Sequence, residues 1–195
     1  MKGERRAPAG WVLWFVGLPG SGKSSLARAV CEKVRGAGGE VEYLEMDERR
    51  RVYFPNPEYS SEERAEAYRL FAEEAAVNSR RGRDVIMDGT APRLWMREYA
   101  RRLVSKFAEV MVRCPLEVAM ERERNRPGGR VMADLYEKAL KRKREGCDFE
   151  GLGEVVGVDV PFEENPDAEC IIESDKVSIE EGSQQVLEFL KRWTA

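Results

Sequence analysis

The chain has 195 residues, of which 35% are charged and 42% hydrophobic, with a formal net charge of -3 at pH 7. This length suits one compact α/β domain and leaves too little core for two. The near balance of charge argues against general nucleic-acid binding, and no apolar run approaches the roughly 20 residues that span a bilayer. The N-terminus also lacks the apolar core of a signal peptide, so we expect a cytoplasmic protein.

Two residue types narrow the possible chemistry. The cysteines are scattered without paired spacing, which predicts reduced packing residues rather than a disulfide framework or a zinc site. They are Cys31, Cys114, Cys147 and Cys170. The chain contains no histidine, which is the commonest general base. Any acid or base must therefore be a carboxylate, lysine, tyrosine or cysteine.

The first ordered unit is predicted to begin at Trp11. Residues 1–10 mix charge with glycine and proline, which predicts a flexible lead-in to a single domain over residues 11–195. Residues 11–16 are apolar on both faces of a strand, as in a parallel sheet covered by helices on each side. A helix is predicted over residues 24–34, ended by the glycine cluster at 36–39.

The same alternation continues through the middle of the chain. The pattern predicts a strand at 41–46, a loop holding Pro55 and Pro57, a helix from about Ser61, a strand at 84–87, a helix at 92–106, a strand at 108–112 and a helix from about Pro115. Ser60 and Glu63 have the spacing of a capping box, and Gly82 follows the expected end of that helix.

The alternation of strands and helices is interrupted at residues 125–160, which we predict to form a lid. This segment holds a polar, glycine-rich stretch at 125–130, a basic helix at 134–144 and further glycines. A fifth strand at 169–173 and a helix after the Ser178 and Glu181 capping pair complete the pattern. The fold predicted is a three-layer α/β fold, with a five-stranded parallel sheet between helices.

A phosphate-binding loop is the strongest motif in the sequence. The residues Gly17, Leu18, Pro19, Gly20, Ser21, Gly22, Lys23 and Ser24 fit G-x-x-x-x-G-K-[ST]. The motif lies between a buried strand and a helix, as it must if backbone N–H groups and the helix N-terminus are to bind phosphate. We expect ATP here, with Lys23 on the β- and γ-phosphates, Ser24 on Mg²⁺, and Ser25 beside them. In this context the motif makes the predicted fold a P-loop NTPase fold, but the motif alone is common to kinases, hydrolases and switches.

Carboxylates follow the second and third predicted strands. Asp47 and Asp88 should therefore lie at the carboxyl edge of the sheet, where ligands bind in open parallel sheets. Phosphoryl transfer to a hydroxyl needs a metal ion held and a proton accepted. We expect Asp47 to act as the base and Asp88 to lie near the metal. The alternative is that each carboxylate caps the helix or turn that follows it.

Arginines suited to anions follow the same strand ends. Arg50, Arg64 and Arg69 are candidates for binding the acceptor anion, because guanidinium groups match phosphate and sulfate oxygens in pairs. Arg122 and Arg126, at the approach to the lid, are candidates for contacting ATP. Each could instead be a solvated surface residue. Two aromatic residues, Phe54 and Phe162, could stack on a base or pack in the core.

With these motifs, residues 12–173 resemble the adenosine 5′-phosphosulfate kinases, also called adenylyl-sulfate kinases. Besides the phosphate loop, the similar stretches are residues 135–139 and 157–163, the latter being similar to the family's G-[IV]-D-x-P-[YF]-E. The resemblance implies a kinase that uses ATP and Mg²⁺ to phosphorylate the 3′-hydroxyl of adenylyl sulfate. It implies substrate contacts by Arg50, Asp159 and Phe162, and a homodimer.

The sequence departs from that family at several positions. Glu48 replaces the asparagine of D-G-D-N-x-R, in which Asp47 and Arg50 are kept. The expected Lys-Gly pair is replaced by residues 133–134, and the aromatic residue before Gly157 by residues 155–156. Two alternatives therefore stay open: a kinase for another small hydroxyl compound, such as a nucleoside, sugar or amino alcohol, or a nucleotide-binding module without transfer activity. We expect a small-molecule acceptor as partner, with no nucleic acid or membrane.

Overall fold

The computed structural model describes residues 9–57, 60–125 and 134–195, and in it five strands form one sheet. The strands are β1 (Val12–Val16), β2 (Val41–Glu45), β3 (Asp84–Asp88), β4 (Phe107–Arg113) and β5 (Cys170–Glu173). Their order across the sheet is β2-β3-β1-β4-β5, and every neighbouring pair is parallel. The predicted five-stranded parallel sheet is confirmed.

Helices connect the strands and cover both faces of the sheet. They are α1 (Lys23–Gly36), α2 (Met46–Tyr53), α3 (Ser61–Arg80), α4 (Leu94–Leu103), α5 (Leu116–Arg124), α6 (Leu135–Glu145) and α7 (Ile179–Thr194). Within the described ranges, no helix is both long enough and apolar enough to cross a bilayer.

The two faces of β1 divide the hydrophobic core. Trp14 lies on one face among α3 and α4, where its ring meets that of Phe71 edge-on at 5.8 Å. Leu13 and Phe15 lie on the other face, with side chains of α1 and α7. Because alternate strand residues point to opposite faces, an all-apolar strand must be covered on both sides. The three layers inferred from residues 11–16 are confirmed.

Helix α2 corrects the sequence prediction, which placed a loop directly after β2. Residues 47–51 are all charged, so no apolar repeat at helical spacing marks the segment. The helix is instead held by tertiary contacts, since Met46 and Arg50 are buried on one side of it. Arg50 Nη1 lies 3.0 Å from Glu63 Oε1 on α3. Tertiary packing has overridden weak local preference here.

The two predicted capping boxes differ in the structure. At α3, Ser60 Oγ accepts a hydrogen bond from Glu63 N at 3.2 Å, but the Glu63 carboxylate turns to Arg50. At α7 both halves of the box form, because Glu181 Oε2 also accepts from Ser178 N at 2.8 Å. The α7 prediction is confirmed and the α3 prediction holds only for the serine.

Parts of the predicted lead-in and lid, residues 1–8 and 126–133, lie outside the described residues. The rest of the lid segment contains α6 and a loop in which Val156 and Val160 form an isolated parallel bridge with each other. All four cysteines carry free thiols, as predicted, and Cys31, Cys114 and Cys170 are buried. Burial raises the pKa of the Cys170 thiol to about 11.

Candidate active site

The phosphate loop lies between β1 and α1, pressed against neighbouring backbone. Gly17 and Gly20 have φ angles of 151° and 80°. A Cβ at Gly17 would lie 2.5 Å from Val112 O, and one at Gly20 would lie 2.2 Å from Ala119 O. Only glycine fits both the left-handed backbone and this close approach. The loop is therefore fixed between β4 and α5, with the N-terminus of α1 behind it.

Two motif side chains turn toward a cavity at the carboxyl edge of the sheet. Lys23 and Ser24 both line this cavity, and Lys23 Nζ donates to Leu18 O across the loop at 3.3 Å. A lysine and a hydroxyl at a helix N-terminus place a cation and a hard oxygen where phosphate oxygens bind. The loop geometry is that of a nucleotide phosphate site.

A second cavity beside the loop is suited to the nucleotide base. Arg122 on α5 donates from Nη2 to Ser174 O at 2.8 Å, and Ser174 Oγ donates to Ser21 O of the phosphate loop at 2.6 Å. Ser25, Val177 and Ile179 complete the walls. Sequence reasoning located Arg122 and Ser25 but missed Ser174, whose only signal was its position directly after β5.

The acceptor side of the site is the cavity that holds Lys23 and Ser24, which we call the acceptor cavity. Its polar wall unites side chains from four elements: Asp47 and Arg50 of α2, Arg64 of α3 and Asp88 of β3, with Glu45 of β2 beside them. Parallel strands bring the residues after β2 and β3 to one edge, as the sequence predicted. A cavity with phosphate-loop residues at one end and carboxylates and guanidinium groups around it suits phosphoryl transfer.

Asp88 is buried at the end of β3 and is held by a tyrosine that sequence reasoning missed. Tyr43 donates its hydroxyl to Asp88 Oδ2 at 2.8 Å. Burial, and next the negative charge of Asp88, raises the pKa of Tyr43, so the phenol stays a donor. The pair follows from register: Tyr43 and Asp88 lie on adjacent parallel strands, two residues apart in the pairing.

Asp47 lies in the first turn of α2, directly after the carboxyl end of β2. The neighbouring carboxylate of Glu45 forms an ion pair with Arg28 of α1, with Nη2 and Oε2 2.7 Å apart. The Asp47 side chain itself lines the acceptor cavity. This is a suitable location for an anionic proton acceptor.

The two arginines of the acceptor cavity are oriented by protein contacts. Arg50 is buried and forms an ion pair with Glu63, and Arg64 Nη2 donates to Glu154 O at 2.6 Å. The Arg64 contact joins α3 to the loop after α6. Guanidinium groups ordered in this way lose little further freedom when they bind an anion.

The loop after β3 carries an unusual backbone angle that a buried tyrosine supports. Ala91 has φ 44°, in the left-handed region that L-residues rarely adopt. Its N–H donates to the Tyr68 hydroxyl at 2.8 Å. Tyr68, Thr90 and Pro92 all line the acceptor cavity. Sequence reasoning missed Tyr68, which has the apolar neighbours of an ordinary core residue of α3.

Several predicted site residues lie outside the acceptor cavity. Arg69 pairs with Glu66 and Glu73 along the outer side of α3. Phe54 ends α2 and packs on the core, as does Phe162, whose ring lies 5.2 Å from the Arg97 guanidinium carbon. Asp159 accepts from Arg142 and Val155 N, both at 2.7 Å. Arg126 lies outside the described residues.

The residues present fit a magnesium ion. Ser24 and Asp88 contribute hard oxygen atoms to one cavity, next to the phosphate loop. Mg²⁺ in nucleotide sites takes one or two protein oxygens and completes its shell with phosphate oxygens and water. Ser24 and Asp88 are the side chains that would hold it.

Comparisons with known proteins give a consistent picture. Residues 9–173 match a family model described as adenylylsulphate kinase. The chain is 38% identical to a probable adenylyl-sulfate kinase of Archaeoglobus fulgidus, over 85% of this chain and 97% of that one. It is 32% identical to the adenylyl-sulfate kinase of Paraburkholderia xenovorans, over 94% of each chain.

A solved structure similar to this one is that of the Mycobacterium tuberculosis APS kinase CysC in complex with AMPPNP and APS. The TM-score is 0.79 at 26% identity, covering 94% of this chain and 99% of that one.

Proposed function

The chain belongs to the adenylylsulphate kinase family, and on this premise we propose that it transfers the γ-phosphoryl group of ATP to the 3′-hydroxyl of adenosine 5′-phosphosulfate. It is a P-loop kinase and binds ATP. The observation that supports the acceptor assignment is the acceptor cavity itself. One space joins Lys23 and Ser24 to Asp47, Arg50 and Arg64, so a nucleotide and an anionic acceptor can meet there.

Each polar side chain of the cavity has a role in this proposal. Lys23 and the loop amides bind the phosphates and stabilise the charge that develops on the transferred group. Asp47 orients the acceptor hydroxyl and takes its proton, while Arg50 and Arg64 bind the phosphosulfate anion. When bound, Mg²⁺ would neutralise charge on the phosphate oxygens from its place at Ser24 and Asp88.

The acceptor is tested by measuring ADP release with ATP and each of several candidate acceptors. Adenylyl sulfate should raise the rate well above the no-acceptor background. AMP and adenosine, which lack the sulfate or the whole anion, should be poorer acceptors because Arg50 and Arg64 lose their partner. ADP release that responds to a sugar or an amino alcohol but not to adenylyl sulfate would refute this function. Nucleotide binding without any acceptor-dependent turnover would indicate a binding module.

The role of Asp47 is tested with Asp47→Asn. We expect turnover to fall by about 10²-fold or more, the usual scale of general-base catalysis, with ATP affinity little changed. The matched control is Glu48→Gln, which removes the exposed neighbouring carboxylate of the same helix turn. Steady-state rates and calorimetric titration with a non-hydrolysable ATP analogue measure the two effects. Equal activity of the two variants would remove Asp47 from its assigned role.

Location and assembly are parts of the same proposal. The four free thiols suit a reducing, cytoplasmic compartment. The homodimer implied by the family resemblance is proposed with them, and light scattering of the purified chain measures it. A monomer at micromolar concentration would count against the dimer.

A further inference from the structure

The loop between α6 and Val156 forms one wall of the acceptor cavity. The residues of this loop that line the cavity are Gly151, Gly153, Glu154, Val155 and Val156. Gly151 has a positive φ of 75°, and Val155 and Val156 are buried. Apart from Glu154, the wall thus presents main chain and small side chains to the acceptor, and its position depends on what holds the main chain in place.

One guanidinium group and one carboxylate hold most of this main chain. Arg142 of α6 donates from Nη1 to Leu152 O at 2.7 Å and from Nη2 to Gly153 O at 3.0 Å. The same Nη2 donates to Asp159 Oδ2 at 2.7 Å, and that oxygen also accepts from Val155 N at 2.7 Å. A planar guanidinium can make these bonds together, whereas an ammonium group cannot reproduce the geometry.

Arg64 holds the loop from the opposite side. It donates to Glu154 O at 2.6 Å. The main chain of residues 152 and 153 is thus bonded to α6, that of residue 154 to α3, and that of residue 155 to Asp159. Beneath the loop, Leu152 and Val155 pack with Tyr136 in a small hydrophobic cluster. The wall is therefore fixed by polar contacts above a packed base.

We propose that Arg142 and Asp159 are positioning residues that set the acceptor affinity of this kinase through the wall at residues 151–156. The proposal rests on the proposed function for its acceptor. Neither side chain lines the acceptor cavity or the second cavity beside the phosphate loop. Their effect reaches the acceptor through the loop, and no residue of this loop lines the second cavity beside Arg122 and Ser174. Asp159 thus has a role different from the direct substrate contact expected of it.

The kinetic test uses Arg142→Lys, which keeps the charge and loses the planar donor pair. We expect the KM for adenylyl sulfate to rise by about tenfold, the scale of losing one or two charge-assisted hydrogen bonds, while the KM for ATP stays within about twofold. Lys141→Arg, an exchange at an exposed position of the same helix, is the matched control and should leave both values unchanged. Asp159→Asn is the second variant, which decides the matter if the first does not fold.

A measurement without an acceptor separates this proposal from the function on which it rests. Hydrogen–deuterium exchange should be faster in residues 150–156 of both variants than in the wild type, while β1 stays protected. Unchanged exchange in this loop, an unchanged acceptor KM, or an equal rise in both KM values would overturn the positioning role. If wild-type enzyme releases no ADP with adenylyl sulfate, the proposed function fails, and the exchange result still decides whether Arg142 and Asp159 hold the loop.

Discussion

Among single residues, Tyr43 makes one hydrogen bond to the site, and Tyr43→Phe removes only the hydroxyl oxygen that makes it. Its hydroxyl donates to Asp88 Oδ2, and Asp88 is one of the two side chains that would hold Mg²⁺. We expect Tyr43→Phe to lower kcat by roughly three- to tenfold, the scale of one net hydrogen bond, and to raise the Mg²⁺ concentration needed for half-maximal rate. Initial rates across a Mg²⁺ titration measure both.

Tyr53→Phe is the control for this substitution. Its hydroxyl also donates to a carboxylate, that of Glu74, but neither residue lines the acceptor cavity. The same change of chemistry should therefore leave the Mg²⁺ dependence unaltered. If Tyr43→Phe behaves like Tyr53→Phe, the hydrogen bond to Asp88 has no part in metal binding.

The sequence predicts which residues lie at the ends of strands better than it predicts which way a side chain on a helix points. Asp88 and Asp47 were placed correctly because parallel strands end at one edge. Arg64 and Arg69 lie one and a half turns apart on α3, so only one of them can face the cavity. Arg69 has Glu66 and Glu73 at helical spacing, which is typical of an arginine paired along the outer side of a helix, whereas Arg64 has no glutamate three or four residues away.

At the scale of elements, the start of α4 depends on a glutamate distant in sequence. Glu163 accepts from Leu94 N at 2.8 Å and from Arg93 Nη1 at 2.9 Å. The bond from the Leu94 N–H, and next that from Arg93, hold the pKa of Glu163 below its ordinary value. The carboxylate therefore stabilises the fold at pH values above the ordinary glutamate pKa.

This contribution should disappear in acid. Because the folded pKa is the lower one, the stabilisation is complete at neutral pH and is lost as the pH falls through the folded value. We expect Glu163→Gln to lower the melting temperature at pH 7, and the difference from wild type to shrink as the pH is lowered below about 4.3. Melting curves at a series of pH values test this. A difference independent of pH would mean that the charge is not responsible.

Elements with strong periodicity or caps were predictable, and α2 was not. A buried strand such as β1 is predicted by its continuous run of apolar residues, and α7 is predicted by its complete capping box. Helix α2 is stabilised by the ion pair of Arg50 with Glu63 across a gap in sequence. A contact between distant residues leaves no periodic trace in the segment that it stabilises.

On the scale of the whole molecule, a buried ion pair joins α4 to strand β4 of the sheet. Arg97 Nη1 lies 2.8 Å from Glu109 Oε1, and both side chains are almost completely buried, at 1% and 0% exposure. Asn165 Nδ2 donates to the other carboxylate oxygen at 2.8 Å. The pair thus connects α4, β4 and the segment before β5.

Breaking this pair should destabilise the entire fold. We expect Glu109→Gln to cost about 3–5 kcal/mol in the free energy of unfolding, because a buried guanidinium loses its countercharge. Lys33→Gln removes an ion pair with the exposed Glu180 and should cost roughly 0–1 kcal/mol. Urea denaturation measures both. Similar losses in the two variants would show that burial does not set the cost.

The architecture as a whole followed from alternating strands and helices, but the order of the strands did not. Residues 11–16 indicated a strand covered by helices on both faces, but not its place in the sheet, where β1 lies between β3 and β4. Which strand pairs with which depends on crossovers that short apolar runs do not encode. The buried Arg97–Glu109 pair was equally invisible, since both residues look like surface charges in the sequence.

The hydrogen bond from Tyr136 to Pro19 joins α6 to the phosphate loop, and we expect it to make nucleotide and acceptor binding cooperative. Tyr136 on α6 donates to the phosphate-loop carbonyl at 2.8 Å, and the same helix carries Arg142. A nucleotide that orders the phosphate loop would also order α6. The acceptor, binding afterwards, would then lose less conformational entropy. By linkage, the factor by which AMPPNP raises acceptor affinity equals the factor by which the acceptor raises AMPPNP affinity. We expect both factors to fall together toward one in Tyr136→Phe.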